Sequence, residues 1–394
     1  MAYTGIIQGQ RGAGNGLAAN QKPDIWKAMG LLEPYNYPAT QYLFFGSKPQ
    51  KPVRNKKGKY SWMEDELLPH NVTVSVAVTA SAGKLTLTNV NVDLVDAFTV
   101  NDLVYIEDND EMGIVESTAT NQAVLSAPDG TNLSSITGTG GIIKILASMF
   151  TEGSAAPISK TTEEVEVSNY LTIMKATVSS TGRDQAGESF TDGTSQAEQV
   201  SKKMKEMKFQ FERLAFLSMS SGNASSAGAL VQTWGKGLLG MLTSNIQTTA
   251  TLSESTFDTW LQLIGQKGSP NKLIYAGSAR YYEIQDIIKA KLNGLTGNTV
   301  ITKYGVDVTK YKYGHLNIDL VFDPVLDGKF TNWAFGVDKG KFMGRFMAND
   351  KKGSRKLRIE RGVEAPGTDG TTDLILSDIG AQYMNEETGG ILKA

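Results

Sequence analysis

Between residues 71 and 148 the chain alternates apolar and polar positions in short bursts. Val72, Val74, Val76 and Val78 are separated by small or polar residues, the period-2 signature of a strand with one buried face. Similar runs recur at Lys84–Thr88, Leu103–Glu107, Met112–Ser117, Ala123–Ser126 and Gly141–Leu146. Ala82-Gly83, Asp108-Asn109-Asp110 and Pro128-Asp129-Gly130 supply turns between them. This spacing predicts a small all-β barrel or sandwich, followed by a linker at Glu152-Gly153-Ser154-Ala155-Ala156-Pro157. The segment reads as a module inserted into a larger frame.

The frame has a different period. Ser195 with Glu198 forms a capping box, and Val200, Met204, Met207, Phe211 and Leu214 follow at helical intervals. Lys202, Lys203, Lys205, Glu206, Lys208 and Glu212 are expected on the other faces. A helix ending near Met219 would span roughly 37 Å at ~1.5 Å per residue. Upstream, Asp24 caps a short helix over 24–33, and proline punctuation predicts an extended run from Pro34 to Pro52. A basic loop and a strand, Tyr60–Leu67, follow. Beyond the module, Glu163–Val167 and Ser168–Thr181 read as strands. Helices are expected at Thr256–Ile264 and at Ser278–Leu292, the latter capped by Ser278. Strands are expected at Lys272–Ala276, Val300–Thr309, Leu316–Phe322, Thr331–Val337, Lys356–Glu364 and Asp373–Tyr383. The fold class is α+β, with no internal repeat.

Composition narrows the chemistry. At 394 residues the chain is long enough for two or three domains. It has no cysteine, so disulfides, thiolate metal sites and cysteine nucleophiles are excluded. The only histidines are His70 and His315, which excludes a three-histidine metal site within one chain. Arg11–Gly16 is glycine-rich but lacks the lysine of a phosphate loop. Asp108–Gly113 begins like a calcium loop, yet Met112 and Ala119 stand where ligands belong. Glu64, Asp65 and Glu66 are adjacent, so neighbours point to opposite faces of a strand rather than forming a catalytic dyad. Asp323-Pro324 and Asp327-Gly328 are turn chemistry. No hydrolase, P-loop or zinc-protease motif occurs. No catalytic residue, metal ligand or cofactor is assigned, and no enzyme is expected. Neither a secretory leader nor an apolar stretch of ~18 residues is present, so a soluble cytoplasmic product without membrane contact is expected.

Net charge is −2, and it is unevenly spread. Residues 71–148 hold two bases against nine acids, a net of −7, which leaves +5 for the frame. Lys48, Lys51, Arg54, Lys56, Lys57 and Lys59 form one basic run. Lys339, Lys341, Arg345, Lys351, Lys352, Arg355, Lys356, Arg358 and Arg361 form another. Without a recognition helix or a stacking motif, such runs suit non-specific phosphate neutralisation or pairing with a copy of the chain.

The parts now have an order: arm, extended basic loop, strands, long helix, α/β unit, returning strands. Ser168-Asn169-Tyr170-Leu171-Thr172-Ile173 followed by Val178-Ser179-Ser180-Thr181-Gly182 is similar to a run in tailed-bacteriophage major capsid proteins of the Hong Kong 97-like fold. The aromatic-acidic strand Tyr60–Leu67 and the loop Gly235–Asn245 resemble that group as well. The resemblance spans roughly 24–70 and 155–385, and leaves the β-module outside.

The resemblance implies a structural subunit that assembles into the pentamers and hexamers of an icosahedral head around double-stranded DNA. By that likeness 1–33 is an N-terminal arm, and 34–70 with 149–180 holds the extended loop and adjoining strands. Residues 71–148 are the inserted domain, 181–234 and 341–394 a peripheral domain, and 235–340 an axial domain. The expected partners are copies of the chain, neighbouring capsomers, packaged DNA bound non-specifically, and scaffolding, portal and decoration proteins. The expected location is the virion capsid, after assembly in the host bacterial cytoplasm. Lys48, Lys51, Arg54, Lys56, Lys57 and Lys59 would meet Glu64, Asp65 and Glu66 of adjacent subunits. Lys202, Lys203, Lys351, Lys352 and Arg355 would face DNA. Nothing marks a lysine–asparagine cross-linking pair. Two other classes compete: a tail or surface adhesin with a receptor-binding module, and a bacterial nanocompartment shell of the same fold.

Overall fold

Helix α1, Pro38–Phe45, stands where the prolines predicted an extended run. Pro38 is its first residue, a position where the missing N–H costs nothing and the fixed φ suits the helix. The prolines therefore mark the start of a helix. The computed structural model describes residues 37–45, 52–90, 92, 95–156, 159–187, 195–225, 231–291, 300–303 and 306–394. The helix expected over 24–33, the arm over 1–33, and Lys48 and Lys51 lie outside these residues.

The chain divides into two units. Met63–Glu166 is one, and the chain up to Trp62 joins Val167–Ala394 in the other. Strand β1, Lys59–Glu64, begins in the larger unit and runs into the smaller one.

The smaller unit holds strands β2 (Asn71–Thr73), β3 (Ala80–Ser81), β4 (Lys84–Thr88), β5 (Asp102–Ile106), β6 (Glu111–Ala119), β7 (Gln122–Ser126) and β8 (Ile142–Ser148). They form an antiparallel sheet in the order β2-β8-β5-β6-β7-β4-β3. Alternate residues (Leu85, Leu87, Val104, Ile106, Val115, Leu125, Ile143) turn inward to a common core. Ala82 and Gly83 both have positive φ, 52° and 75°, the geometry of a two-residue hairpin whose twist matches its strands. The strand expected over Val72–Val78 is broken. After Thr73 only isolated bridges remain, Val74 to Val92 and Val78 to Ile136, and Val76 is 46% exposed.

The larger unit continues with β9 (Val165–Tyr170), which pairs with β1, then β10 (Thr172–Thr181), α2 (Gly182–Ala186) and α3 (Gln196–Leu217). Next come β11 (Gly222–Ser225), β12 (Val231–Trp234), α4 (Leu238–Met241), β13 (Ile246–Thr248), α5 (Glu254–Gly265), β14 (Asn271–Ala276) and α6 (Ser278–Lys291). The remainder is β15 (Val300–Lys303), β16 (Val306–Tyr313), β17 (Leu316–Phe322), β18 (Ala334–Asp338), β19 (Phe342–Phe346), β20 (Arg358–Glu360), β21 (Gly370–Tyr383) and β22 (Gly390–Lys393).

Two sheets organise these elements. One is mixed, in the order β13-β22-β18-β14-β17-β16-β15, with β14 and β17 parallel. Its central strand β14 is buried on both faces. Leu273 and Tyr275 join the core that receives Phe211 and Phe216 of α3, while Ile274 and Ala276 join Trp260 of α5 and Ile288 of α6. In the other sheet β21 pairs along β10, with β19 and β20 on its opposite edge. Val200 and Met207 of α3 pack there against Ile375. The long helix thus joins both sheets, and its 22 residues span about 33 Å.

Three local expectations need correction. Gly277 accepts the first helical hydrogen bond of α6, from Tyr281 at 2.8 Å, so Ser278 is the first helical residue and not the cap. The strand expected over Val300–Thr309 is a hairpin, β15 and β16, paired in antiparallel register. Glu212, expected on an outward face of α3, is fully buried.

Candidate assembly surface

The two basic runs of the frame are held in different ways. The loop leading into β1 is pinned at both ends. Val53 N–H donates to the Phe346 carbonyl and Ala348 N–H to the Val53 carbonyl, each at 2.8 Å. Asn55 closes the turn, its side-chain oxygen accepting Lys57 N–H at 2.9 Å and its carbonyl accepting Gly58 N–H at 2.9 Å. Gly58 takes φ +69°, a conformation glycine adopts without strain. Arg54, Lys56 and Lys57 consequently stand exposed on a fixed turn, while Lys59 is half-buried at the start of β1. Of the acids expected to meet such a loop on a neighbour, Glu64 is half-buried and Asp65 and Glu66 are exposed. Glu163, Glu164 and Glu166, which the charge reading passed over, are exposed around the start of β9.

The second basic run is organised differently. Asp350 accepts Arg358 at 2.6 Å and Arg355 at 3.2 Å; Glu360 accepts Arg358 at 2.6 Å and Lys352 at 2.7 Å; Asp378 accepts Arg355 at 3.2 Å. Three bases are thus matched by three acids. Hydrogen bonding to Arg358 and to Lys352 N–H holds Asp350 down to about 2, against some desolvation. Lys352 and Arg355, expected to face DNA, are tied into this cluster. Lys351 beside them is exposed. On α3, Lys202 is half-buried and Lys203 pairs with Glu206 at 2.5 Å. Linear proximity of bases exposed the run but not its counter-ions, which come from Asp350, Glu360 and Asp378 on neighbouring strands and turns.

The motifs that carried the family resemblance have a structural basis. Asn169 is buried, and its side-chain oxygen accepts N–H bonds from Tyr170 and Lys236, both at 2.8 Å. Its amide donates to the carbonyls of Lys236 at 3.0 Å and Ala381 at 2.9 Å. Tyr60 sends its hydroxyl to the same Ala381 carbonyl at 2.5 Å, and burial pushes that phenol well above its ordinary pKa. One amide thus ties β9, the segment before α4, and β21 together. Gly235, Gly237 and Gly240 pass so close to backbone carbonyls that a Cβ would overlap Tyr170, Leu214 and Met219 in turn. The segment taken for a plain loop contains α4 and lies against the end of α3 because these residues lack side chains.

Among the described residues no group of three or more histidine, aspartate or glutamate side chains is placed to hold a metal ion. No helix among them is long and apolar enough to cross a membrane. His70 and His315 are exposed, and His315 Nε2 lies 3.2 Å from the Gly265 carbonyl.

The profile of the SU10 major capsid protein family matches residues 10–394. The chain belongs to that family. It is therefore a structural capsid subunit that self-associates, and its role is not enzymatic. No curated protein matches it. Among solved structures it is similar to the Microbacterium phage Oxtober96, at 10% identity over 95% of this chain and 96% of that one, with a TM-score of 0.45. It is similar to the capsid of a native GTA particle computed with C5 symmetry, at 10% identity over 95% of this chain and 96% of that one, with a TM-score of 0.44. The SrpI encapsulin complex of Synechococcus elongatus PCC 7942 is similar over 59% of this chain and 77% of that one, at 12% identity and TM-score 0.42. The family match, and not these distant likenesses, carries the assignment.

Proposed function

We propose that this capsid subunit forms pentamers and hexamers of a Hong Kong 97-like shell and closes an icosahedral head around double-stranded DNA. The family match over residues 10–394 is the observation that carries this reading. The domain roles follow the same assignment: 1–33 as arm, 34–70 and 149–180 as extended loop and its strands, 71–148 as inserted domain. Residues 181–234 and 341–394 form the peripheral domain and 235–340 the axial domain. The exposed turn bearing Arg54, Lys56 and Lys57 would meet the acids Glu64, Asp65 and Glu66 of an adjacent copy. The −7 module is best placed away from packaged phosphate, since like charges repel most within a Debye length of ~10 Å. Lys202, Lys203 and Lys351 would face the genome. Scaffolding, portal and decoration proteins complete the partner set, and assembly takes place in the bacterial cytoplasm.

Negative-stain microscopy with mass photometry across protein and salt concentration tests this. Closed shells, or rings of five and six, are the expected result. A compact trimer alone would overturn it in favour of a tail or adhesin role. Shells that exclude DNA and enclose a protein cargo would instead point to a nanocompartment.

A further inference from the structure

Glu212 and Asp323 are both fully buried, on α3 and at the end of β17, and their carboxyl groups are hydrogen-bonding neighbours. Glu212 reaches α1 with both oxygens. Oε1 accepts Ala39 N–H at 2.8 Å and Oε2 accepts the Thr40 hydroxyl at 2.9 Å. Asp323 Oδ1 accepts Val325 N–H at 2.9 Å, while Oδ2 has no donor facing it. That orphaned oxygen is explained if a single proton is shared between it and the Glu212 carboxyl. Burying two adjacent carboxylates without a cation is far costlier than burying one carboxylate and one carboxylic acid.

Among the described residues the surrounding groups offer no alternative counter-charge. From α1 comes Tyr42, whose hydroxyl is bound to the Lys339 carbonyl. From α3 come Lys208, which offers its carbonyl to Thr40, and Arg213, which pairs with Asp327 at 3.1 Å. From β14 comes Tyr275, buried and held protonated by desolvation first and then by neighbouring Tyr42, Glu212 and Asp323. Lys339 is paired with Asp319.

We propose that the proton shared by Glu212 and Asp323 latches helix α1 onto the long helix α3, and that losing it releases α1. Only α1 among the latch's partners is a short element, eight residues long, held to Glu212 by its own first turn. When both carboxyls ionise, water can reach Glu212 most cheaply by displacing Ala39 and Thr40. The direction in pH follows. Burial raises both groups, repulsion adds to Glu212, and Asp323 is pushed up to about 7. A carboxyl raised in the fold stabilises it fully below the unfolded value of about 4, and that contribution disappears as pH rises through the folded value. The latch is closed in mild acid and opens above neutrality, as pH rises through the folded value of the carboxyl that keeps the last proton of the pair.

Hydrogen exchange on the intact chain tests this, with α5 as internal reference so that the intrinsic pH dependence of exchange cancels. Protection of α1 relative to α5 is expected to fall up to about tenfold per pH unit above neutrality, the slope of one proton. In Asp323→Asn, and separately in Glu212→Gln, α1 should stay protected with no such slope. Equal slopes for α1 and α5 in the native chain, or an unchanged α1 slope in a folded variant, overturn the latch. Should neither variant fold, infrared spectroscopy of the native chain decides. A protonated-carboxyl band that bleaches as α1 loses protection supports the proposal, and absence of that band in mild acid defeats it.

Discussion

Asn169 and Lys236, separated by 67 residues, exchange a pair of hydrogen bonds: Lys236 N–H to the Asn169 side-chain oxygen at 2.8 Å, and the Asn169 amide to the Lys236 carbonyl at 3.0 Å. The side chain thereby acts as an extra peptide unit between two stretches of backbone that have no sheet in common. Asn169→Ala strands the N–H groups of Tyr170 and Lys236 and the Lys236 carbonyl. At ~1–3 kcal/mol for each buried group left unmade, and with partial relaxation, the expected loss is about 2–4 kcal/mol. Asn169→Asp keeps the acceptor but turns a carboxylate toward two carbonyls, so it too should destabilise. Denaturant unfolding of both variants checks this; a loss under ~0.5 kcal/mol would remove Asn169 from its central place.

Gly237 gives a sharper test of close approach. A Cβ there would overlap the Leu214 carbonyl and sit 2.7 Å from that of Ala215, both backbone atoms at the end of α3. Backbone cannot swing aside as a side chain can. Gly237→Ala should cost roughly 1–3 kcal/mol or more, as overpacking does. Gly130→Ala is the control: its Cβ meets nothing within 4 Å, so only the strain of φ +74°, about 1–2 kcal/mol, should appear. Thermal unfolding of the two variants side by side separates crowding from strain.

These two sites show what local sequence signals reach. The long helix was legible because its evidence is local: Ser195 caps it, accepting Glu198 N–H at 3.4 Å, and the apolar stripe follows at fixed intervals. The module strands were legible for the same reason, period-2 alternation punctuated by turns. Ser168–Ile173 and Gly235–Asn245 were noticed as patterns, but why asparagine and glycine stand there depends on Ala381 and Leu214, far away in the chain. Glu212 misled most. Its own charge grouped it with the outward lysines and glutamates although Phe211 beside it is buried, and only the approach of α1 and Asp323, from 172 residues upstream and 111 downstream, accounts for its inward place.

Acid should loosen the ion cluster around Asp350 late. Asp350 and Glu360 both sit below their ordinary values, Asp350 chiefly through Arg358 and Glu360 chiefly through Lys352. A carboxyl depressed in the fold contributes stability above its unfolded pKa and loses it as pH falls through the folded one. For Asp350 that window runs from about 4 down to about 2. Carboxyl NMR titration should therefore find Asp350 still ionised near pH 3. In Arg358→Ala its midpoint should move up toward the ordinary range. An unchanged midpoint would mean Arg358 is not what holds it.

Lys351 and Lys352 are adjacent in sequence but not in consequence. Lys352 is engaged by Glu360 at 2.7 Å, whereas Lys351 is exposed beside the cluster. If the genome is neutralised by this face, each lysine that contacts a phosphate releases counter-ions, and removing one should lower the salt slope of binding by about 1. Lys351→Gln is expected to do so. Lys352→Gln should change the slope less, because its charge is already spent on Glu360, and should instead leave Glu360 with Arg358 alone. Fluorescence anisotropy of a mixed-sequence duplex against assembled subunits, at several salt concentrations, reads both slopes. Equal slopes for the two variants would mean that the ion pairs open on binding DNA or that this face does not meet it.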